Sequence, residues 1–282
     1  MLAATASLVS LGVHRIVTLR NRPEGALGGL LVAICVILAW KVYKAWIERT
    51  PDRELAAPGA WRELGSGLVF GTALFSMVTA IVWLVGGIDF LGLRGGIGAL
   101  WSMLAVAFVS GSFEELLFRG VLLRQLERLF GTVAALVLSS AFFGAAHLMN
   151  PGATLFAAFA IAVEAGLMLG AAYLLTRRLW LAMGIHAAWN FAQGWIFSIP
   201  ISGGKPPRGL LLTRVHGPEW LTGGAFGLEA SVVALIVCAT AGVWLLTLAV
   251  RRGALRPRER SHKTIRVDVD RDADAGREIQ SA

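Results

Sequence analysis

The sequence predicts an all-α fold: a polytopic membrane helical bundle of seven or eight transmembrane helices. Three observations point there. Hydrophobic residues make up 56% of the chain and charged residues 16%, whereas soluble domains carry about 45–50% and about 25%. The apolar excess is gathered into long runs, which a bilayer requires and a globular core does not. Ten tryptophans stand against two tyrosines, supplying amphipathic rings suited to a membrane interface.

Seven runs are long enough to cross, or nearly cross, a hydrocarbon core that takes about 20 residues of helix. They lie near 27–46, 64–86, 97–118, 132–149, 153–176, 179–199 and 228–250. The stretch 1–19 is apolar but interrupted by His14 and Arg15, and no basic segment precedes its apolar part. It reads as an eighth span or a surface-lying helix rather than a cleaved signal peptide. The organisation expected is N-terminal membrane segments over 1–59, a core over 60–200, an extracytoplasmic loop over 201–227, a final span over 228–250 and a tail over 251–282. The tail is basic, poor in apolar residues and expected to be disordered from 254 onward.

The formal net charge of +8 is not a nucleic-acid signal, because the cations sort by loop. Lys41, Lys44, Arg49, Arg53 and Arg62 follow the first run, and Arg94 is alone in the next loop. Arg124 and Arg128 come next, then none near 149–153, then Arg177 and Arg178, and finally the basic tail. Rich and poor loops alternate, placing the rich ones and the C-terminus in the cytoplasm. Lys205, Arg208 and Arg214 in the 200–227 loop blur the pattern. That loop, with Gly203-Gly204 and Pro206-Pro207, either covers the outer mouth or links two spans. Cys35 and Cys238 both lie in apolar runs and read as packing residues. Gly67/Gly71 and Gly166/Gly170 have the spacing that lets membrane helices approach closely.

An ionisable group in a span costs at least about 2.5–3.5 kcal/mol, so each needs a partner or a role. Three clusters occur on three spans: Glu114-Glu115-Leu116-Leu117-Phe118-Arg119, Phe143-Gly144-Ala145-Ala146-His147, and His186-Ala187-Ala188-Trp189-Asn190. Glu115 and Arg119 are four apart on one helical face and can pair. Glu114 points about 100° away and has no sequence-local cation. The helix continues past Glu114 through polar Arg124, Gln125, Glu127 and Arg128 to a tight turn at Gly131. Counting from that turn at about 1.5 Å per residue, Glu114 and His147 both lie about 23 Å from the hairpin tip. His186 lies about 12 Å from the basic pair Arg177-Arg178 by the same rise, at the depth expected for the other two. Glu164, in the fifth run, reads as a packing hydrogen bond near Gly166; in a transporter it would be the path residue.

A carboxylate with two imidazoles can activate water directly as a general base or through a metal held by His, His and Glu. A histidine and an asparagine amide can donate hydrogen bonds to an oxyanion. This set suits amide hydrolysis. The sequence contains no His-Glu-x-x-His, no Gly-x-Ser-x-Gly and no phosphate loop.

Glu114-Glu115-x-x-x-Arg119, Phe143-x-x-x-His147 and His186-x-x-x-Asn190, in this order on successive spans, resemble the CPBP family of intramembrane proteases. This family includes CAAX prenyl proteases of the Ras-converting type and bacterial bacteriocin-processing or self-immunity proteins. The resemblance covers roughly 60–200, and Arg62-Glu63-Leu64-Gly65 also looks like family usage. It implies that Glu114 activates the attacking water with His147, that His186 and Asn190 stabilise the oxyanion, and that Glu115 and Arg119 support them. It implies a membrane-embedded or lipidated peptide substrate in the lipid bilayer, no nucleic-acid partner, and a multi-pass protein of a prokaryotic plasma membrane. Family members are labelled metalloproteases, which implies zinc on Glu114, His147 and His186; a metal-free glutamate mechanism is the other form. The competing readings are a non-catalytic scaffold or immunity protein and a transporter, although two related halves with broken helices are not evident.

Overall fold

The computed structural model describes residues 21–257. The expectations for 1–19 and for the tail from 258 onward lie outside them. Helix α1 (Pro23–Val42) starts with proline, whose fixed φ suits a first helical turn, and runs on through a π-helical turn Tyr43–Glu48. Helix α2 (Ala60–Leu84) leads to strand β1 (Ile88–Leu93). The next helical segment joins α3 (Leu100–Val109), π-helical Ser110–Glu114 and Leu116–Leu123, and α4 (Arg124–Phe130). Gly131, at φ +81°, makes the expected tight turn into α5 (Thr132–Ala146). Thr154 caps α6 (Leu155–Ile161) by accepting from the Ala157 amide, and π-helical Ala162–Leu167 connects α6 to α7 (Met168–Thr176). Helix α8 (Trp180–Phe191) ends in π-helical Ala192–Ile196. Strand β2 (Leu211–Val215) and the short α9 (Glu219–Thr222) precede α10 (Val232–Arg251), which Ser231 caps.

Among the described residues, five helical segments are long and apolar enough to cross a membrane: Pro23–Glu48, Ala60–Leu84, Thr132–Met149, Leu155–Thr176 and Val232–Arg251. The chain is an integral membrane protein. The count of seven or eight spans is not reached on this measure. The third and sixth runs are helical, over 100–130 and 180–196, but they carry the polar clusters. The latter has only 12 α-helical residues before its π-helical turn of 5. The all-α expectation also needs an amendment. Strands β1 and β2 pair antiparallel, from Ile88 opposite Val215 to Leu93 opposite Leu211, with a register shift between Phe90 and Gly92. Gly92, at φ +134°, supplies the backbone conformation of that bulge.

Small residues set the helix spacing around the site. A Cβ on Gly71 would lie 2.3 Å from the Ile185 carbonyl oxygen, and one on Gly184 would lie 2.4 Å from that of Leu64. Helices α2 and α8 therefore touch backbone to backbone, which lipid-buried helices achieve only through such residues. Gly166 packs in the same way against Ser140. Phe75, Val78, Leu169, Ile185 and Trp189 form the core beside this contact, with Phe75 and Trp189 edge to face at 5.0 Å between ring centroids.

The cation-rich loops meet at one end of the bundle. Arg124 pairs with Glu48 at 2.8 Å and with Glu54 at 2.9 Å, and Lys44 reaches the same two carboxylates. Arg177 pairs with Glu127 at 2.6 Å, and Arg178 with Glu63 at 3.2 Å. The loops grouped by charge in the sequence are thus physically joined. At the other end, the 200–227 segment is more than a linker: the Leu210 amide donates to the Trp195 carbonyl, the Ala99 amide to Arg208, and the Gly203 amide to Phe226.

Candidate active site

The site forms where the π-helical part of the third helical segment, the C-terminal end of α5, and α8 come together. Glu115 is fully buried, and its Oε1 accepts from Arg119 Nη1 at 2.8 Å, the pair expected from their spacing. The same oxygen lies 2.7 Å from Nδ1 of His186, 71 residues further along the chain. A carboxylate only accepts, so Nδ1 carries the proton, and the ring is held with Nε2 turned away from Glu115. Nε2 stands 3.8 Å from Glu114 Oε2, whose side chain is 30% exposed. That separation is too long for a direct hydrogen bond and short enough for one water to touch both groups.

Arg119 is locked as firmly as its partner. Its Nη2 donates to the carbonyls of Ala165 and Gly166 in the π-helical turn between α6 and α7. Its guanidinium lies 4.7 Å from the centroid of the Phe143 ring. The Phe143 ring in turn lies 4.7 Å from the His147 ring and 6.2 Å from the His186 ring, so one buried aromatic spaces both histidines and the arginine.

His147 follows α5 in a 3-10 turn and is half-buried. Its Nδ1 lies 2.8 Å from the Phe143 carbonyl; the carbonyl accepts, so Nδ1 carries a proton, and in the neutral ring the lone pair is on Nε2. Asn190, one turn after His186, donates from Nδ2 to Ser110 Oγ at 2.9 Å. Glu114, His147, His186, Asn190 and Ser110 all line one cavity of about 540 Å³.

Glu114, His147, His186 and Asn190, singled out in the sequence, are therefore brought to one wall, with Glu115 and Arg119 behind it. Four polar cavity residues, Ser110, Asn150, Ser202 and Glu229, were not singled out. Ser110 precedes Glu114 by four residues and was detectable as a polar residue on the same helical stripe. Ser202 and Glu229 come from the 200–227 segment and the turn after it; no spacing rule connects them to the motifs. Glu164 lines the same cavity, and its Oε2 has no hydrogen-bond partner. The packing bond expected near Gly166 is not what it makes.

Zinc on Glu114, His147 and His186 is not supported by the arrangement. Both histidines have Nδ1 engaged and Nε2 available, as a metal ligand requires. Yet among the described residues no three His, Cys, Asp or Glu side chains converge closely enough to hold a metal ion. Glu114 and His186 approach each other, but His147 does not complete a trio with them. The donor set as arranged does not fit a zinc centre.

Residues 96–192 match the family described as type II CAAX prenyl endopeptidase, Rce1-like. The match includes all three motifs and every side chain from Ser110 to Asn190 that lines the cavity. It is narrower than the 60–200 expected and leaves out Arg62-Glu63-Leu64-Gly65. No curated protein and no solved structure matches the chain. The segment of this membrane protein that carries the two glutamates, His147 and His186 is thus similar to a family of proteases, the CAAX endopeptidases.

Proposed function

We propose that this protein is an intramembrane endopeptidase that cuts a peptide bond in a membrane-associated or lipidated peptide, with Glu114 as the base. The observation that carries this reading is the Glu115–His186–Glu114 line: 2.7 Å on one side of the imidazole and 3.8 Å on the other, ending on the cavity wall. A water touching Glu114 and Nε2 of His147 loses a proton to the carboxylate as its oxygen attacks the peptide carbonyl carbon. Protonated at both nitrogens, His186 donates from Nδ1 to Glu115 and from Nε2 to the oxyanion. Asn190 Nδ2 carries a second hydrogen besides the one it gives Ser110, and this is the other oxyanion donor. Glu114 then passes its proton to the leaving nitrogen, the carbon–nitrogen bond breaks, and an acid and an amine result. The basic end of the bundle faces the cytoplasm in this reading.

The test uses the full chain in lipid nanodiscs with matched lipidated and unlipidated peptides, comparing wild type with Glu114→Gln in the presence and absence of a chelator. Cleavage by wild type and its loss in the variant are expected. Equal cleavage by both overturns Glu114 as the base. Activity lost to chelator and restored by zinc overturns the metal-free form of the mechanism.

A further inference from the structure

The cavity holds more acid than hydrolysis uses. Its wall carries three carboxylates, Glu114, Glu164 and Glu229, and no lysine or arginine. Glu164 is 3% exposed and Glu229 is 2% exposed. Glu229 Oε1 accepts the backbone amide of Ser202, which fixes it against the 200–227 segment. Glu164 Oε2, by contrast, has no hydrogen-bond partner and no ion-pair partner among the described residues. The guanidinium that reaches its turn from the neighbouring helical segment, Arg119, bonds to Glu115 and to the Ala165 and Gly166 carbonyls instead.

A carboxyl held out of water either takes up a proton or gains a partner that supplies the missing charge and hydrogen bonds, and a cationic ligand is such a partner. Between these acids the cavity is lined by apolar side chains, among them Ile161, Met168, Leu169, Ile185 and Trp189. This combination complements a group with an alkyl stem and a cationic nitrogen at its tip.

We propose that Glu164 and Glu229 form a cation subsite within the cavity, which takes a lysine or arginine side chain of the peptide near the bond that is cut. The proposal rests on the protease reading for the identity of the occupant, but its test does not depend on turnover. The stem of the basic residue lies along the apolar wall, and its nitrogen donates to the carboxylates of Glu164 and Glu229. The subsite acts on selection: it brings a chosen bond to Glu114 and takes no part in breaking it.

The test is equilibrium binding to the full chain carrying Glu114→Gln, in phosphatidylcholine nanodiscs so that the lipid contributes no net charge. The probes are three fluorescent palmitoylated peptides that differ at one scanned position: lysine, arginine or norleucine. The lysine or arginine peptide is expected to bind about tenfold tighter than norleucine or better, the worth of one charge-assisted hydrogen bond. Adding Glu164→Gln, or separately Glu229→Gln, is expected to erase that preference while leaving norleucine binding unchanged. Equal affinity for all three peptides, or a preference that survives both substitutions, overturns the proposal, and the first comparison needs no variant at Glu164. Wild-type cleavage is scored separately. A charge preference without cleavage supports the subsite and removes the protease reading; cleavage without a preference does the reverse.

Discussion

Removing the Glu115 carboxylate should reduce both stability and activity, and a double-mutant cycle with Arg119 separates the two losses. Glu115 is 0% exposed, and its Oε1 takes Arg119 Nη1 at 2.8 Å and His186 Nδ1 at 2.7 Å. Glu115→Leu leaves a guanidinium that is 2% exposed with only two backbone carbonyls. Breaking one side of such a pair costs about 3–5 kcal/mol, because the remaining charge is buried and uncompensated. Arg119→Met should cost a similar amount for the mirror reason. Replacing both by apolar groups of similar volume removes two desolvation penalties together with one attraction, which is often near neutral. The double variant is therefore expected to be at least about 3 kcal/mol more stable than the sum of the single losses. Unfolding in detergent, followed by tryptophan fluorescence, reads this directly. Activity should not recover with stability, since His186 has lost the partner that aims Nε2. Additivity within about 0.5 kcal/mol would refute the pair as a coupled unit. A double variant that is both stable and fully active would refute the claim that Glu115 positions His186.

Asn190→Ala should lower kcat by about 10²–10³ with little change in KM, the effect of losing one oxyanion donor; steady-state kinetics on a cleaved peptide checks it, and a pure KM effect sinks that role. Ser110→Ala should give a smaller loss of the same kind, because it only frees the Asn190 amide to rotate. Gly71→Ala or Gly184→Ala should destabilise the fold and impair activity together, since either Cβ would meet a carbonyl oxygen across the α2–α8 contact at 2.3 or 2.4 Å; unchanged melting temperatures would show that the helices separate without penalty. At the basic end, burial pushes the Glu127 carboxyl up, but hydrogen bonds from Arg177 and Thr132 and the Arg177 charge outweigh it and leave it below the usual range. Because the folded value is depressed, this contribution to stability is present above the unfolded value near about 4.3 and is lost as pH falls through the folded one. Glu127→Gln should therefore flatten the acid limb of a stability–pH curve, and identical limbs would count against the linkage.

What the sequence reveals here follows from what is local. Glu115 and Arg119 are four apart, so one turn of helix fixes their contact. Gly131 announces its turn because a tight connection between two helices needs its backbone freedom. The level of Glu114 with His186 is a matter of counting rises from the charged ends, and the 3.8 Å approach agrees with the count. The bond from Glu115 to His186 is different. It depends on how α8 rotates against the third helical segment, which is set by the glycine contact with α2 at Gly67 and Gly71. The small-residue spacing is visible in the sequence, but the helix it meets is not. The β1–β2 pair was missed for the same reason: Ile88–Leu93 and Leu211–Val215 are short, and each makes sense as a strand only beside the other. Glu229 enters the cavity because the Ser202 amide holds it there, a contact between two irregular turns with no periodicity to read.

The π-helical turns tie these observations together. Each one among the described residues carries a charged or buried polar side chain: Lys44 and Glu48, Ser110 and Glu114, Arg119, Glu164, and Gln193. A helix in lipid cannot break to aim a side chain, because every freed amide or carbonyl must find a partner in a medium that offers none. Widening a turn by one residue changes the direction of the side chains that follow while keeping the backbone bonded. It also tilts carbonyls outward, where their second lone pairs can accept, and Ala165 and Gly166 use theirs to hold Arg119. Arg119 holds Glu115, and Glu115 holds His186. The π-helical turn at 162–167 therefore supports the imidazole through two side chains, Arg119 and Glu115, while on its cavity face it presents Glu164. A substitution that returned this turn to regular α-helix would disturb the His186 aim and the Glu164 position at once, two functions that lie on separate helices in the sequence.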